Sequence, residues 1–200
     1  MYSWFFARIV ILSSVVMFCP FVDKGQEPES VSSIFKLLES EATTDSAAAK
    51  FSKMGPESTT AKQYLNSRLS ALIQQNPRTA PHVWLNSVHL AGQFQIADAI
   101  PSLVKWIGLV VGTTQGTTLT TQENLESFPA GKALAQIGDP AVPALSSVLN
   151  SGETRERFVA CRALRIIGTR QATVALRSHL KQESDPELRA YIQKVTDDNR

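Results

Sequence analysis

Histidine and cysteine are the residue types of this chain that most readily hold metal ions or act as nucleophiles, and the sequence contains few of them. The histidines are His82, His89 and His179, and the cysteines are Cys19 and Cys161. His82 and His89 lie two turns apart on a predicted helix, but no acidic residue or cysteine joins them in a metal-ligand pattern. No Gly-x-Ser-x-Gly elbow or phosphate-binding loop accompanies the many serines and threonines. We therefore predict no catalytic residue, no metal site and no cofactor.

The composition indicates a globular protein. The 200 residues are 43% hydrophobic and 19% charged, which suits one domain or two small ones and does not suit a disordered chain. The net charge of +2 lacks the strong basic bias of nucleic-acid binders, so no nucleic-acid partner is expected. Two cysteines are too few for a disulfide scaffold.

Residues 1–22 are typical of an export signal. Arg8 is the sole charge before Asp23, and an uncharged run of 14 residues extends from Ile9 to Val22. This run is short for a membrane span, so a cleaved signal is the first interpretation, although bulky residues stand where a peptidase prefers small ones. An uncleaved anchor over residues 4–22 and acylation of Cys19 are the alternatives. All three predict an exported bacterial protein that is periplasmic, extracellular or membrane-anchored, with membrane contact only through an uncleaved N-terminal segment.

The rest of the chain is predicted to be helical. Residues 23–30 are polar, contain Gly25 and Pro28, and indicate a linker. From residue 31 to residue 200 the apolar residues recur at helical spacing, and no comparable segment alternates with a period of two. The expected fold class is therefore all-α.

A repeated segment predicts the architecture. Residues 130–138, AGKALAQIG, return thirty positions later as residues 160–168, ACRALRIIG. The glycine that closes each copy is suited to a left-handed helix end, Asp139 to capping the next helix, and Pro140 to its first turn. Each unit is thus a helical hairpin that cannot bury its apolar face alone. Stacked antiparallel hairpins, an α/α superhelix or short α-solenoid, are the expected result.

The run from Ala133 to Leu145, ALAQIGDPAVPAL, and its partner from Ala163 resemble the HEAT-like repeats, including the short form first described in phycobilin lyases. This resemblance implies an α-solenoid whose usual work is to hold other proteins, and it does not imply a reaction. Some HEAT-like enzymes, the deoxyhypusine hydroxylases, place iron on His-Glu dipeptides. Here Val83, Leu90 and Leu180 follow the three histidines, which excludes that activity.

Residues 108–122 interrupt the repeats. Three glycines and six threonines in GLVVGTTQGTTLTTQ disfavour a helix and predict a loop or small hairpin at one edge of the stack. Such insertions often contact a partner, and a tolerated surface insertion with no role is the alternative.

The C-terminal repeats are predicted to have a basic surface. Seven basic residues stand against two acidic ones between Ser151 and Lys181. Arg155 and Arg162, and likewise Arg177 and Lys181, are spaced to share helix faces, so an acidic partner surface or an anionic cell-envelope polymer would fit there. The alternative is a solvated face whose charges only maintain solubility.

These patterns predict an exported, non-catalytic scaffold or adaptor that binds a protein or peptide partner. A lyase-like or enzyme accessory module that cradles a small molecule is the alternative function. An enclosed pocket lined by His82, Trp84 and His89 would favour the small-molecule module, whereas an open continuous surface would favour the scaffold.

Overall fold

A computed structural model describes residues 59–111 and 125–197, together with residues 36, 38, 48–50, 52 and 53. The predicted signal, the linker and most of the Gly/Thr-rich insertion lie outside the described residues. The two continuous ranges contain eight α-helices: α1 (Thr59–Gln74), α2 (Pro81–Gln93), α3 (Ile100–Lys105), α4 (Pro129–Ile137), α5 (Val142–Ser151), α6 (Thr154–Ile167), α7 (Arg170–Leu180) and α8 (Pro186–Asp197). Short 3-10 turns cover Ala97–Ala99, Leu125–Ser127 and Asp139–Ala141. No strand occurs in the part of the chain that the structure describes, which confirms the all-α prediction.

The helices form two layers. Helices α2, α4, α6 and α8 pack side by side in the first layer, and α1, α3, α5 and α7 pack side by side in the second. The fold is therefore the α-solenoid that the repeats predict, because each hairpin buries its apolar face against the next one. The two copies of the repeated segment lie on α4 and α6, which are direct neighbours.

Small residues bring the first-layer helices close together. A side-chain carbon built at Gly131 on α4 would stand 2.3 Å from a methyl group of Val159 on α6. A carbon built at Gly92 on α2 would stand 2.8 Å from the Cα of Ala133 on α4. Both glycines are therefore required by helix packing rather than by backbone conformation.

The turns between paired helices follow the predicted chemistry in part. Gly168 adopts the left-handed conformation after α6, and Gly138 ends α4 with a φ of +82° and a ψ of −141°, a region that glycine alone readily occupies. Thr169 caps α7 by accepting a hydrogen bond from the Ala172 N–H. Asp139 does not act as the predicted side-chain cap. Its carboxylate instead accepts a 2.6 Å hydrogen bond from the Thr169 hydroxyl, which joins the turns of successive hairpins.

The last helix of the stack, α8, forms a half-repeat because no second helix follows it in the described residues. Helix α8 packs against α6 and α7 through Leu188, Ile192 and Val195, which are buried.

The Gly/Thr-rich insertion interrupts the repeats after α3, and the structure describes its first residues as far as Val111. Val111 is not helical. The Val111 N–H donates a hydrogen bond to the Ser127 carbonyl, which brings the start of the insertion back beside α4.

Candidate partner-binding surface

On the exposed face of the second layer, one groove lies between α3 and α5 and another lies between α5 and α7. The groove between α3 and α5 has a volume of about 400 Å³, and the groove between α5 and α7 has a volume of about 350 Å³. Both are open to solvent along this face. The α5/α7 groove is lined by Val142, Pro143, Ser146 and Asn150 from α5 and by Gln171, Val174, Ala175, Ser178, His179 and Gln182 from α7 and the turn after it.

A basic stripe follows the exposed side of α7. Arg170, Val174, Arg177 and Lys181 recur at intervals of three and four residues, so their side chains share one helix face, and all four are exposed. Val174 is 53% exposed, which is unusual for a large apolar residue in this fold. No acidic residue occurs from Arg170 to Lys181. We call these four residues the α7 stripe.

The α7 stripe also borders a recess next to the groove. Arg170, Val174 and Arg177, with Gly168 and Thr173, line a cavity of about 450 Å³ at the N-terminal end of α7. Val174 lines both this recess and the α5/α7 groove, so the two adjoin at this side chain. Arg177 also donates a 3.3 Å hydrogen bond to the Thr196 carbonyl of α8, which holds its guanidinium beside the recess.

The structure distributes the four basic residues of the predicted docking face over two layers. Arg177 and Lys181 are exposed on the α7 stripe, whereas Arg155 is exposed on α6 in the other layer. Arg162 is only 9% exposed, and its guanidinium lies 6.0 Å from the ring centroid of Tyr191 on α8. Arg162 therefore belongs to a helix-helix contact, because its position on α6 faces the half-repeat. Partner binding by these residues stays a prediction.

Sequence reasoning missed Arg170 and Val174. The signal that identifies them is the spacing Arg170-x3-Val174-x2-Arg177-x3-Lys181 on one helix, with no acidic residue between. Val174 was not recognisable from the spacing of the basic residues, because an isolated valine on a helix normally indicates a core position.

A buried polar network closes the far end of the α5/α7 groove. The Glu183 carboxylate, 2% exposed, accepts two 3.1 Å hydrogen bonds from the Arg157 guanidinium and lies 2.6 Å from His179 Nε2. The Asp185 N–H also donates to it. On the opposite side of the imidazole, His179 Nδ1 lies 3.2 Å from the Asn150 side-chain oxygen on α5. The network joins α5, α6, α7 and the turn before α8, so it fixes the register of the last hairpins.

The network also shifts the acidity of its carboxylate. Burial opposes ionisation of Glu183, but the hydrogen bonds from Asp185, His179 and Arg157 and the charge of Arg157 outweigh it and lower the pKa to about 2. A carboxylate with a lowered pKa stabilises the fold above its unfolded pKa of about 4.5, and this stabilisation is lost as the pH falls toward 2.

We expect this carboxylate to make the fold sensitive to acid. Between about pH 6 and pH 3, protonation of Glu183 in the unfolded chain should remove about 2 kcal/mol from the free energy of unfolding. Urea titrations at the two pH values measure the loss in the native chain and in Glu183→Gln. The difference between the two proteins isolates this residue from other carboxylates, and an equal loss in both would contradict the prediction.

Cys161 is a core residue rather than a nucleophile. It is fully buried on α6 at the repeat position of Gly131, and burial is the main reason that the pKa of its thiol rises to about 12. Charges on Arg162, Glu183 and Arg165 have smaller and opposing effects.

The Cys161 thiol should therefore resist alkylation while the protein is folded. We expect iodoacetamide at about pH 8 to leave it unmodified in buffer and to modify it fully in guanidinium chloride. Mass spectrometry of the peptide that contains Cys161 separates its reaction from that of Cys19. Modification of the folded protein at the rate of a free thiol would show that this helix interface is open.

His82, Trp84 and His89, the residues of the predicted small-molecule pocket, line none of the three cavities described above. Trp84 is 3% exposed, and its indole N–H donates to the Ile73 carbonyl inside the core, whereas His82 is exposed. Burial and the charge of Lys132 lower the pKa of His89, and Glu126 partly offsets them. Trp106 is partly buried against the core. These positions give the small-molecule alternative no support.

In the ranges that the structure covers, no three His, Cys, Asp or Glu side chains are grouped as metal ligands. None of the helices in those ranges is long and apolar enough to span a membrane.

Comparison with known proteins identifies the repeats. Residues 129–195 match the family model of HEAT repeats. This range starts at the first residue of α4 and ends within α8, so it contains both copies of the repeated segment and the α7 stripe. No curated protein and no solved structure matches the chain.

Proposed function

Because this chain is a HEAT-like repeat protein, with its HEAT repeats at residues 129–195, we propose that it is a non-catalytic scaffold that binds a protein or peptide partner on the second-layer face. HEAT repeats generally mediate protein-protein interaction. The observation that carries the proposal is the row of open grooves between α3, α5 and α7. Stacked helices leave such grooves at regular intervals, and a partner lying across several of them gains contact area without any rearrangement of the stack.

The chemistry of the second-layer face supports binding rather than catalysis. Its α5/α7 groove is lined mainly by hydroxyl, amide and small apolar side chains. Among the described residues that line the groove, His179 is the one titratable side chain, and it is already hydrogen-bonded to Glu183. Glu183 itself is held by Arg157, so neither group is placed to exchange protons with a bound molecule.

Photo-crosslinking tests whether the second-layer face binds a partner. A benzoylphenylalanine placed at Val174, on α7, should crosslink the chain to a discrete partner in the cells that make it. The matched control carries the same group at Ile166, which is 61% exposed but lies on α6 in the first layer. Crosslinks to the same partner at equal yield from both positions, or none from Val174, would refute the second-layer surface.

We further propose that the scaffold works outside the cytoplasm. The support is the sequence of residues 1–22, whose uncharged run follows a single arginine as in export signals. Mass determination of the mature N-terminus, combined with fractionation, tests this proposal. A chain that keeps Met1 and is recovered wholly from the cytoplasm would overturn it.

A further inference from the structure

We propose that the α5/α7 groove and the adjoining recess bind an extended acidic peptide, in which an apolar residue lies on Val174 between two acidic residues that pair with Arg170 and Arg177. This inference rests on the proposed function and names the chemistry of the partner segment.

The charge on α7 lies on the recess side of Val174, whereas the α5 wall of the groove is neutral. Arg170 and Arg177 line the recess, and the α5 sequence VPALSSVLNS contains no ionisable residue. The α7 sequence contains no carboxylate. Asp139 lies near the N-terminal end of α7, where its carboxylate accepts the Thr169 hydroxyl, and Glu183 at the other end is paired with Arg157. An acidic segment lying over Val174 would therefore meet the two arginines on the recess side and a neutral wall on the groove side.

The spacing of the α7 stripe fits an extended chain. Arg170 and Arg177 are seven residues apart, which places their Cα atoms about 10 Å apart along the helix, with Val174 between them. In an extended peptide, alternate side chains point to the same side and lie about 7 Å apart, so a first, third and fifth residue span about 13 Å. The arginine side chains are flexible, so they can accommodate the difference between these two distances. The pattern acidic-x-apolar-x-acidic therefore matches Arg170, Val174 and Arg177 in order.

The groove also offers hydrogen-bonding groups to a peptide backbone. The side chains of Gln171 and Ser178 line it from α7, and Ser146 lines it from α5. Amide and hydroxyl groups both donate and accept, which suits the alternating N–H and C=O groups of an extended segment. Pro143 and Ala175 add apolar contacts beside Val174.

A peptide fits this surface better than a polyanion does. The α7 stripe has three cations, and nucleic-acid affinity depends on the number of phosphates that are neutralised. The neutral, partly apolar α5 wall adds nothing to phosphate binding, whereas it contributes contact area to a peptide side chain.

Selection from a random peptide library on the full chain tests the inference. We expect enriched peptides to carry the acidic-x-apolar-x-acidic pattern. In fluorescence anisotropy, Arg170→Gln combined with Arg177→Gln should raise the Kd of an enriched peptide by about tenfold or more, because two charge pairs are lost. Val174→Ser should raise this Kd as well. Arg78→Gln, which removes an exposed cation from the turn between α1 and α2, is the control and should leave the affinity unchanged.

The outcomes separate this inference from the proposed function. Enriched peptides without acidic residues, an affinity that survives the double substitution, or a library that yields no binder would overturn the inference. A crosslink from Val174 to a protein partner would still support the scaffold. Stronger binding of a DNA duplex or of anionic lipid vesicles than of the selected peptide, lost in the same double variant, would reassign the stripe to a polyanion. Circular dichroism and melting curves confirm that each variant is folded.

Discussion

Replacing Glu183 with glutamine should lower the free energy of unfolding by about 3 kcal/mol, because it leaves a largely buried cation without its counter-charge. The substitution keeps the size of the side chain but removes the negative charge that pairs with Arg157, whose side chain is 18% exposed. It also weakens the acceptor for the Asp185 N–H and the contact with His179. Urea denaturation at neutral pH measures the change.

The matched control for Glu183 is Glu187→Gln. Glu187 is exposed in the first turn of α8, so its loss should cost less than about 1 kcal/mol. If the two substitutions had equal effects, the carboxylate of Glu183 would not be the centre of the network. Replacing both Arg157 and Glu183 with apolar residues should restore part of the stability, since neither charge is then left unpaired.

Replacing Gly131 with alanine should lower the free energy of unfolding by about 1 to 3 kcal/mol, even though alanine favours helices over glycine by about 1 kcal/mol. The added carbon would stand 2.3 Å from a methyl group of Val159, so α4 and α6 must separate. A thermal melt and a urea titration measure the loss.

A double-mutant cycle gives this prediction its control. Val159→Ala removes the methyl groups that Gly131→Ala meets, and by itself it leaves a cavity in a buried position. The two substitutions together should cost clearly less than the sum of the single ones, because the new methyl group fills part of that cavity. Strict additivity would mean that the two residues do not contact each other across the interface.

Local patterns determined much of the architecture. The recurrence of AGKALAQIG as ACRALRIIG predicted that α4 and α6 are equivalent helices, and the structure places them side by side. Gly138 and Gly168 were predicted to end helices, and both do so with positive φ. These features can be predicted from the sequence because helix periodicity and glycine conformation depend on a few neighbouring residues.

Contacts between repeats could not be predicted from local sequence in the same way. Asp139 is of a residue type that often caps helices, yet its carboxylate binds Thr169 thirty residues later. Arg162 has the spacing of a surface residue, yet it is buried against Tyr191, because α8 covers that side of α6. No local sequence pattern shows which helix will pack against a given face of another helix.

The sequence by itself determined that this protein contains stacked helical hairpins and has a basic C-terminal portion. Only the tertiary structure decided which of the basic residues share a surface. The charges of Arg170, Arg177 and Lys181 line one exposed helix beside an apolar valine, whereas Arg157 and Arg162 are drawn into contacts with Glu183 and Tyr191. The physical reason is that exposure depends on the helices that pack against each face, and residues distant in the chain supply those helices.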